Sequence, residues 1–209
     1  MSGFFIVFEG GEGAGKSTQE RHLASSLREQ GLEIVRTREP GGTPAAEEIR
    51  RIVLSTDSAG MDPRTEALLF AAARSDHVAR IIRPALERGC VVICDRYLDS
   101  SVAYQGHARG LGAERVRDLS LWATQGLVPD LTIVLDLDPA DGLARFAERD
   151  RMESEPLEYH RQVRAAFLAL AEQAPERYLV LDARDDEERI ASTILERVVA
   201  ALAEQESHA

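Results

Sequence analysis

Apolar runs and helically spaced apolar residues alternate from one end of the chain to the other. Five short runs rich in Val, Ile, Leu and Phe predict buried strands at residues 4–8, 32–37, 91–95, 131–137 and 178–183. Longer stretches with apolar residues at helical spacing predict helices at 17–30, 44–54, 65–88, 113–125, 139–149, 157–173 and 187–204. Such alternation is typical of a parallel sheet covered on both faces. The pattern therefore predicts an α/β fold with a five-stranded parallel sheet and helices on both faces.

The first predicted strand runs directly into the glycine-rich stretch GGEGAGKSTQ, residues 10–19. Its Gly10, Gly15, Lys16 and Ser17 fit the pattern G-x-x-x-x-G-K-S/T, and a chance glycine-rich turn is the alternative reading. The motif stands between a strand and a helix, as a P-loop does, so we expect a P-loop NTPase fold. Backbone N–H groups of the loop and the N-terminus of the next helix bind phosphate oxygens. The predicted ATP-binding residues are Gly10, Gly11, Glu12, Gly13, Ala14, Gly15, Lys16, Ser17 and Thr18.

Basic residues are distributed in an unusual way along this chain. Of its 25 basic residues, Lys16 is the only lysine. A compact ammonium on a flexible stem can follow the β- and γ-phosphates during transfer, whereas a planar guanidinium favours a fixed bidentate partner. The scarcity of lysine also excludes the N-K-x-D motif of GTPases, and no L-S-G-G-Q-like signature of ABC ATPases occurs. The sequence thus indicates phosphoryl chemistry outside those two classes.

Length, charge and cysteine content bear on the number of domains, the possible partners and the cellular compartment. The 209 residues predict a single domain spanning residues 1–209. A net charge of −11 disfavours nucleic acid as a partner but still permits a local arginine-lined cleft. No segment reads as a membrane span or signal peptide, so we expect a cytoplasmic protein without a membrane partner. Cys90 and Cys94 stand too far apart on one strand to form a disulfide with each other.

Two further segments leave predicted strands at the carboxyl edge of the sheet, where parallel sheets bind ligands. Asp95 closes the run VVICD, the position of a carboxylate that orients Mg²⁺, and Ser17 is the expected second metal ligand. Arg96 follows and is expected to point into the P-loop cleft and bridge phosphates. The stretch REPGGT, residues 38–43, leaves the second strand at the same edge, and its Pro40 is a candidate for a cis peptide bond.

Six collinear motifs together resemble those of bacterial thymidylate kinases, which are P-loop nucleoside monophosphate kinases. The motifs are FEGGEGAGKSTQ, TREPGGT, LLFAAARSDH, CDRYLDSSVAYQG, PDLTIVLDLDP and DRMESEPLEYHRQVR, and the resemblance extends over nearly the whole chain. The resemblance implies transfer of the γ-phosphoryl of ATP to dTMP, giving dTDP and ADP in dTTP synthesis. It implies Mg²⁺ as the cofactor and a homodimer formed through helices that include residues 65–88. A kinase for another nucleoside monophosphate, or a non-catalytic nucleotide-binding regulatory protein, remains the alternative.

The resemblance also implies where the sugar and phosphate of the acceptor bind. Glu12 matches the acidic residue that holds the sugar 3′-hydroxyl. Arg50 matches the arginine that grips the 5′-phosphate, and its neighbour Arg51 is the competing candidate. Tyr104 matches a ring placed against the 2′ position, where a ribose hydroxyl would clash or lack a partner.

A second part of the implied acceptor site reads the base. Phe70 matches a ring that stacks on thymine, with core packing as the alternative. Arg74 lies one turn further on the same helix face and matches the donor to thymine O4. Ser101 and Gln105 match polar contacts to the base. The predicted acceptor-binding residues are Glu12, Glu39, Arg50, Phe70, Arg74, Arg96, Ser101, Tyr104 and Gln105.

A short lid is implied between residues 144 and 160. Family members place an arginine near the transferred phosphoryl to neutralise developing charge, either in the P-loop or in the lid. The P-loop position is Gly13 here, so the resemblance implies that the arginine comes from the lid. The stretch RFAERDRMESE is about three residues shorter than the usual lid, a length change that surface loops tolerate. The predicted catalytic residues are Lys16, Arg96, Arg145, Arg149 and Arg151.

Overall fold

The computed structural model describes residues 3–147 and 150–208, in which five strands alternate with helices. The strands are β1 (Phe4–Gly10), β2 (Ile34–Arg38), β3 (Val91–Asp95), β4 (Leu131–Asp136) and β5 (Tyr178–Asp182). The α-helices are α1 (Lys16–Glu29), α2 (Pro44–Leu54), α3 (Pro63–His77), α4 (Arg83–Glu87), α5 (Leu98–Ser101), α6 (Ala113–Thr124), α7 (Pro139–Leu143), α8 (Leu157–Gln173) and α9 (Glu187–His208). Two π-helical segments, Val78–Ile82 and Val102–Ala108, follow α3 and α5, and two 3₁₀ turns span Thr56–Ser58 and Pro175–Arg177.

The sheet has the order β2-β3-β1-β4-β5, and every neighbouring pair is parallel. Asp95 at the end of β3 is in register with Phe8 of β1 and Arg38 of β2. The P-loop, the loop after β2 and the segment after β3 therefore leave the sheet at one edge. The predicted parallel α/β sheet and the convergence of these three segments are confirmed.

Hydrophobic residues of β1 face both sides of the sheet, because successive side chains of a strand alternate. Ile6 and Phe8 pack with residues of α1 and α9, including Leu27 and Ile194. Phe5 and Val7, which alternate with them along the strand, pack on the other side with the segments that follow α3 and α5. All seven residues of β1 are buried, so the strand that carries the P-loop is the most enclosed element of the sheet.

The predicted helix at 65–88 is divided into three parts. It begins earlier, at Pro63, because the side chain of Asp62 caps it by accepting a hydrogen bond from Arg64 N. A π-helical segment then leads into α4, where Pro84 occupies the first turn. Proline has no N–H to donate to a preceding carbonyl, so a regular α-helix cannot continue unchanged through it.

The predicted helix at 139–149 is wrong beyond its first turns, since α7 ends at Leu143. Its start is capped by Asp138, which accepts a hydrogen bond from Ala140 N. The chain then turns because Arg145 donates from Nη1 to the carbonyl oxygen of Gly13 at 2.7 Å, a tertiary contact that helical spacing does not encode. Residues 148 and 149 lie outside the described part of the chain.

The sequence predicts neither a membrane-spanning segment nor a disulfide between the two cysteines, and the described residues can be compared with both predictions. No helix within 3–147 or 150–208 is long and apolar enough to cross a membrane. Cys90 and Cys94 are both buried and free, in agreement with the prediction that they do not pair with each other.

Candidate active site

The P-loop connects β1 to α1 and encloses its lysine. Gly13 and Gly15 have φ angles of 69° and 89°, a left-handed conformation that glycine adopts without strain. Lys16 is only 7% exposed, and its Nζ donates to the carbonyl oxygens of Gly10 at 3.2 Å and Gly11 at 2.9 Å. Burial lowers the pKa of Lys16 below its usual value. The ammonium thus already lies across the loop that would hold the phosphates.

Ser17 and Asp95, the two predicted metal ligands, lie next to each other. The Ser17 hydroxyl donates to Asp95 Oδ2 at 3.5 Å, and Oδ1 of Asp95 is buried without a hydrogen-bond partner among the described residues. Mg²⁺ prefers such oxygen ligands and usually binds through one or two protein groups plus phosphates and water. The described ranges contain no group of three or more His, Cys, Asp or Glu residues able to hold a metal. The pair therefore fits Mg²⁺ bound together with a nucleotide.

Arg96 joins the end of β3 to the P-loop. Its Nη2 lies 2.7 Å from Glu12 Oε1, and its Nη1 donates to the carbonyl oxygen of Gly10 at 3.0 Å. The Tyr104 hydroxyl also donates to Glu12 Oε1, at 2.8 Å. Burial would raise the pKa of Glu12, but the charges of Arg96 and Lys16 and the Tyr104 hydrogen bond outweigh it and lower the pKa to about 2. Glu12 is therefore ionised inside the cleft at neutral pH.

Glu9 holds the backbone that positions Arg96, and sequence reasoning missed it. Its carboxylate accepts hydrogen bonds from Tyr97 N at 2.9 Å, Ser100 N at 3.1 Å and Ser100 Oγ at 2.6 Å. Arg96, directly before Tyr97 in the chain, has a φ of 66°, which is uncommon for a residue other than glycine. Burial raises the pKa of Glu9 to about 7. The signal was an acidic residue at the end of the otherwise apolar run FFIVFEG.

The loop after β2 is anchored to α3 through Glu39. One carboxylate oxygen lies 2.6 Å from Arg74 Nε and the other 3.1 Å from His77 Nδ1, and all three side chains are buried. The Glu39–Pro40 peptide bond is cis. Arg50 donates from Nη1 to the Pro40 carbonyl at 2.9 Å. Glu39 lines the cleft, but both of its oxygens are engaged by α3.

One cleft of about 410 Å³ collects most of the predicted site residues. From the predicted sets, its lining includes Glu12, Gly13, Ala14, Gly15, Lys16, Ser17, Thr18, Glu39, Arg50, Phe70, Asp95, Arg96, Ser101, Tyr104 and Gln105. Sequence reasoning missed Arg38, Pro40, Leu54, Ser100, Phe146, Asp150, Met152 and Glu153, which also line it. Gly10 and Gly11 do not line the cleft, and they contribute carbonyl oxygens to Lys16 instead. Arg51 is exposed and paired with Glu48, so of the two competing arginines only Arg50 reaches the cleft.

Comparison with known proteins decides the family. The family model described as thymidylate kinase matches residues 8–194. The chain belongs to the thymidylate kinase family. It is 56% identical to the thymidylate kinase of Clavibacter sepedonicus over 201 residues, covering 94% of this chain and 95% of the relative. It is 51% identical to that of Pseudomonas putida strain GB-1 over 193 residues, covering 91% and 92%.

A solved thymidylate kinase has the same architecture. The crystal structure of the enzyme from Ehrlichia chaffeensis superposes with a TM-score of 0.79 at 32% sequence identity. The superposition covers 95% of this chain and 99% of the other. The five-stranded parallel sheet with surrounding helices is therefore the fold of this family.

The family's two ways of supplying a catalytic arginine can be compared with the P-loop geometry. A Cβ at Gly13 would lie 2.6 Å from the carbonyl oxygen of Gly142 in α7, and the φ of 69° would strain any side chain. An arginine at this P-loop position is thus excluded by the neighbouring backbone. The catalytic arginine that the family resemblance implies is therefore still expected in the lid.

The structure separates the three lid arginines. Arg145 lies beside the P-loop, where its Nη1 bonds to Gly13 O. Arg151 is buried away from the phosphate end of the cleft, with Nη1 2.6 Å from Glu66 Oε2 and Nε 2.7 Å from the Val53 carbonyl. Its position does not support the catalytic role predicted for it. Arg149 falls outside the described residues.

Arg74 lies beneath the cleft rather than in its wall. Its Nε donates to Glu39, its Nη1 to Ser120 Oγ, and its Nη2 to Tyr97 O and Ser101 Oγ. A guanidinium has five N–H groups, so these bonds leave one Nη1 hydrogen uncommitted. The expected direct bond from Arg74 to thymine O4 stays a prediction that depends on this one hydrogen.

Proposed function

We propose that this chain transfers the γ-phosphoryl group of ATP to dTMP, producing dTDP and ADP. The observation that carries the proposal is that one cleft contains both the P-loop and the acceptor residues that the family resemblance implies. Lys16 lies at one end, and Phe70 and Gln105 line the same space. Donor and acceptor can therefore meet without leaving the cleft, which is what direct transfer requires.

The proposed reaction relies on position and charge. The acceptor phosphate oxygen is already ionised at neutral pH, so an in-line attack on the γ-phosphorus needs no strong general base. Lys16 would exchange its bonds with Gly10 and Gly11 for phosphate oxygens. Arg50 and Arg96 would hold the acceptor phosphate, and a lid arginine, Arg145 or Arg149, would neutralise charge on the transferred group. Closure of the lid would exclude water and limit hydrolysis of ATP.

We assign the Mg²⁺ ligands to Ser17 Oγ and Asp95. The unpartnered buried Oδ1 of Asp95 supports this assignment, because a buried carboxylate oxygen usually has a partner. When bound, the ion neutralises charge on the ATP phosphates and helps to orient them. Titrating Mg²⁺ against ATP-bound protein by calorimetry tests the assignment: Asp95→Asn should weaken metal binding, and unchanged binding would reject it.

The contacts of Glu12 leave one of its oxygens for the acceptor sugar. Arg96 and Tyr104 both use Oε1, so among the described residues Oε2 stays available to accept from the sugar 3′-hydroxyl. Phe70, Leu54 and Met152 all line the cleft and give it apolar surface. We expect the planar base to stack on Phe70.

The experiment that tests the function is a coupled ADP-release assay with ATP and Mg²⁺. The acceptors are dTMP, dUMP, dCMP, UMP, AMP and GMP, with acceptor-free protein as the control. We expect release that depends on dTMP and a low rate without acceptor. If another nucleotide were preferred, that nucleotide and not dTMP would be the acceptor. ATP binding without acceptor-dependent ADP release would favour a regulatory nucleotide-binding protein.

We also propose a homodimer formed through α3 and α6. These helices pack against each other, and each carries a large exposed hydrophobic side chain, Leu68 at 58% and Trp122 at 80% exposure. Burial of such residues is a common source of affinity between subunits. Light scattering should give twice the 23.0 kDa chain mass for the wild type and a lower mass for Trp122→Glu. A wild-type monomer at micromolar concentration would contradict the proposal.

A further inference from the structure

Glu66 is a buried carboxylate beneath the cleft that has no role in the reaction proposed above. It lies on α3, one turn before Phe70, and is 0% exposed. Oε1 accepts from Gln105 Nε2 at 2.9 Å and from Arg109 Nε at 3.3 Å. Oε2 accepts from Arg109 Nη2 at 3.2 Å and from Arg151 Nη1 at 2.6 Å. Three residues therefore converge on one carboxylate, two from the end of the π-helical segment after α5 and Arg151 from the region of the lid.

The two arginines keep this carboxylate ionised. A buried charge is costly unless it is paired and its hydrogen-bonding capacity is filled. Burial would raise the pKa of Glu66, but the hydrogen bonds from Gln105, Arg109 and Arg151 outweigh it and lower the pKa below the usual value. An ionised carboxylate can only accept hydrogen bonds. Its partner in Gln105 must therefore be the amide nitrogen, never the amide oxygen.

This requirement fixes the orientation of the Gln105 side-chain amide. The nitrogen is held by Glu66, while Oε1 accepts no hydrogen bond from any of the described residues. Gln105 lines the cleft beside Ser101 and Phe70. Because the nitrogen is turned toward Glu66, the oxygen is the acceptor of this amide that remains for a bound nucleotide, whereas a glutamine free to rotate could turn either its nitrogen or its oxygen toward the base.

We propose that Glu66 is a positioning residue that fixes the Gln105 amide with its oxygen toward the acceptor base, and thereby favours thymine over cytosine. The proposal rests on the dTMP kinase function given above. The N3 position of thymine carries a hydrogen that Oε1 of Gln105 can accept. The N3 position of cytosine is itself an acceptor, so the two lone pairs would face each other with no hydrogen between them. Leaving such groups unpaired in a desolvated site is a strong basis for discrimination.

Replacing Glu66 by glutamine tests the proposal because it keeps the size but removes one acceptor. Arg109 and Arg151 would compete for the single remaining oxygen, and the new amide nitrogen would face Gln105. The Gln105 amide would then turn and present its nitrogen to the base. We expect the ratio of the dCMP dissociation constant to the dTMP dissociation constant, measured by calorimetry, to fall about tenfold or more in Glu66→Gln.

Arg109→Met is the matched control. It removes the guanidinium that pairs with Glu66 and Glu155 and lies over the Tyr159 ring, but it leaves the bond between Glu66 and Gln105. We expect it to lower stability without changing the ratio. If Glu66 had only a structural role, Glu66→Gln would weaken the binding of dCMP and dTMP equally. The ratio of their dissociation constants would then stay unchanged, and that result would overturn the proposal.

A measurement on the wild-type protein covers the case in which Glu66→Gln does not fold. Side-chain amide protons of Gln105, assigned by comparison with Gln105→Met in ¹⁵N-glutamine-labelled protein, should exchange slowly with solvent both without nucleotide and with dTMP bound, because Glu66 holds the nitrogen in both states. Fast exchange of these protons in the nucleotide-free protein would show that Glu66 does not hold the amide and would overturn the proposal. Wild-type ADP release is a separate readout: protein that binds dTMP with the expected ratio but does not phosphorylate it would contradict the proposed function alone.

Discussion

Lys16→Met is expected to lower the kcat of dTMP-dependent ADP release by about a hundredfold to a thousandfold, the usual effect of removing one preorganised group that stabilises developing charge. The Lys16 ammonium stands within the P-loop and donates to two of its carbonyl oxygens, those of Gly10 and Gly11. Methionine keeps the length of the side chain but supplies no charge for the transferred phosphoryl. Steady-state kinetics with saturating ATP and dTMP measures the effect.

Two controls separate catalysis from folding in this variant. Binding of dTMP should change little, because the residues proposed to bind the base lie on α3 and in the segment after β3. Lys16→Arg should recover only part of the rate, because a planar guanidinium cannot replace a compact ammonium between two carbonyl oxygens. A Lys16→Met rate within a factor of about three of the wild type would show that Lys16 does not stabilise the transferred group.

Gly142→Ala is expected to displace the P-loop although residue 142 lies outside it. A Cβ at this position would overlap the carbonyl oxygen of Glu12, which is backbone and cannot rotate away. Forcing atoms into packed structure costs about 1–3 kcal/mol and shifts the backbone. We expect a lower melting temperature and loss of most ATP affinity, measured by thermal unfolding and by calorimetry.

Gly11→Ala is the matched control for stability. It places a Cβ within the P-loop itself, but nothing lies within 4 Å of that position and its φ is not in the left-handed region. Its melting temperature should therefore stay close to that of the wild type. If Gly142→Ala retained wild-type stability and ATP affinity, the close approach between α7 and the P-loop would have no functional consequence.

Sequence alone predicted those elements whose boundaries are set by local chemistry. Strand β3 and helices α2 and α8 have the predicted bounds, because an apolar run or a proline at the start marks them. Helix α5 and the π-helical segment after it were not predicted. Their start is stabilised by Glu9, a residue about ninety positions earlier whose carboxylate accepts from Tyr97 N and Ser100 N. Contacts of this kind leave no local periodicity.

The same distinction applies to the cleft. The P-loop residues are consecutive in the sequence and could be predicted from spacing and context, whereas the acceptor residues came from family resemblance. Neither source gave the partners of buried charges. Arg151 was a candidate for catalysis by its place in the lid, but Glu66 binds it from α3, and nothing in the lid sequence encodes that pairing.

Lys16 is both nearly fully buried and the only lysine in the chain, so a reaction specific to lysine reports on this one position. Apart from the terminal α-amino group, no other amine in the chain can react with an acylating reagent. A protease that cuts only after lysine has a single cleavage site, between residues 16 and 17. Both reactions require the loop to open and release its two carbonyl contacts, so when reclosing is fast their rates report the free energy of that local opening. The rate of a lysine-specific reaction, measured on the whole protein, therefore reports how readily the P-loop opens.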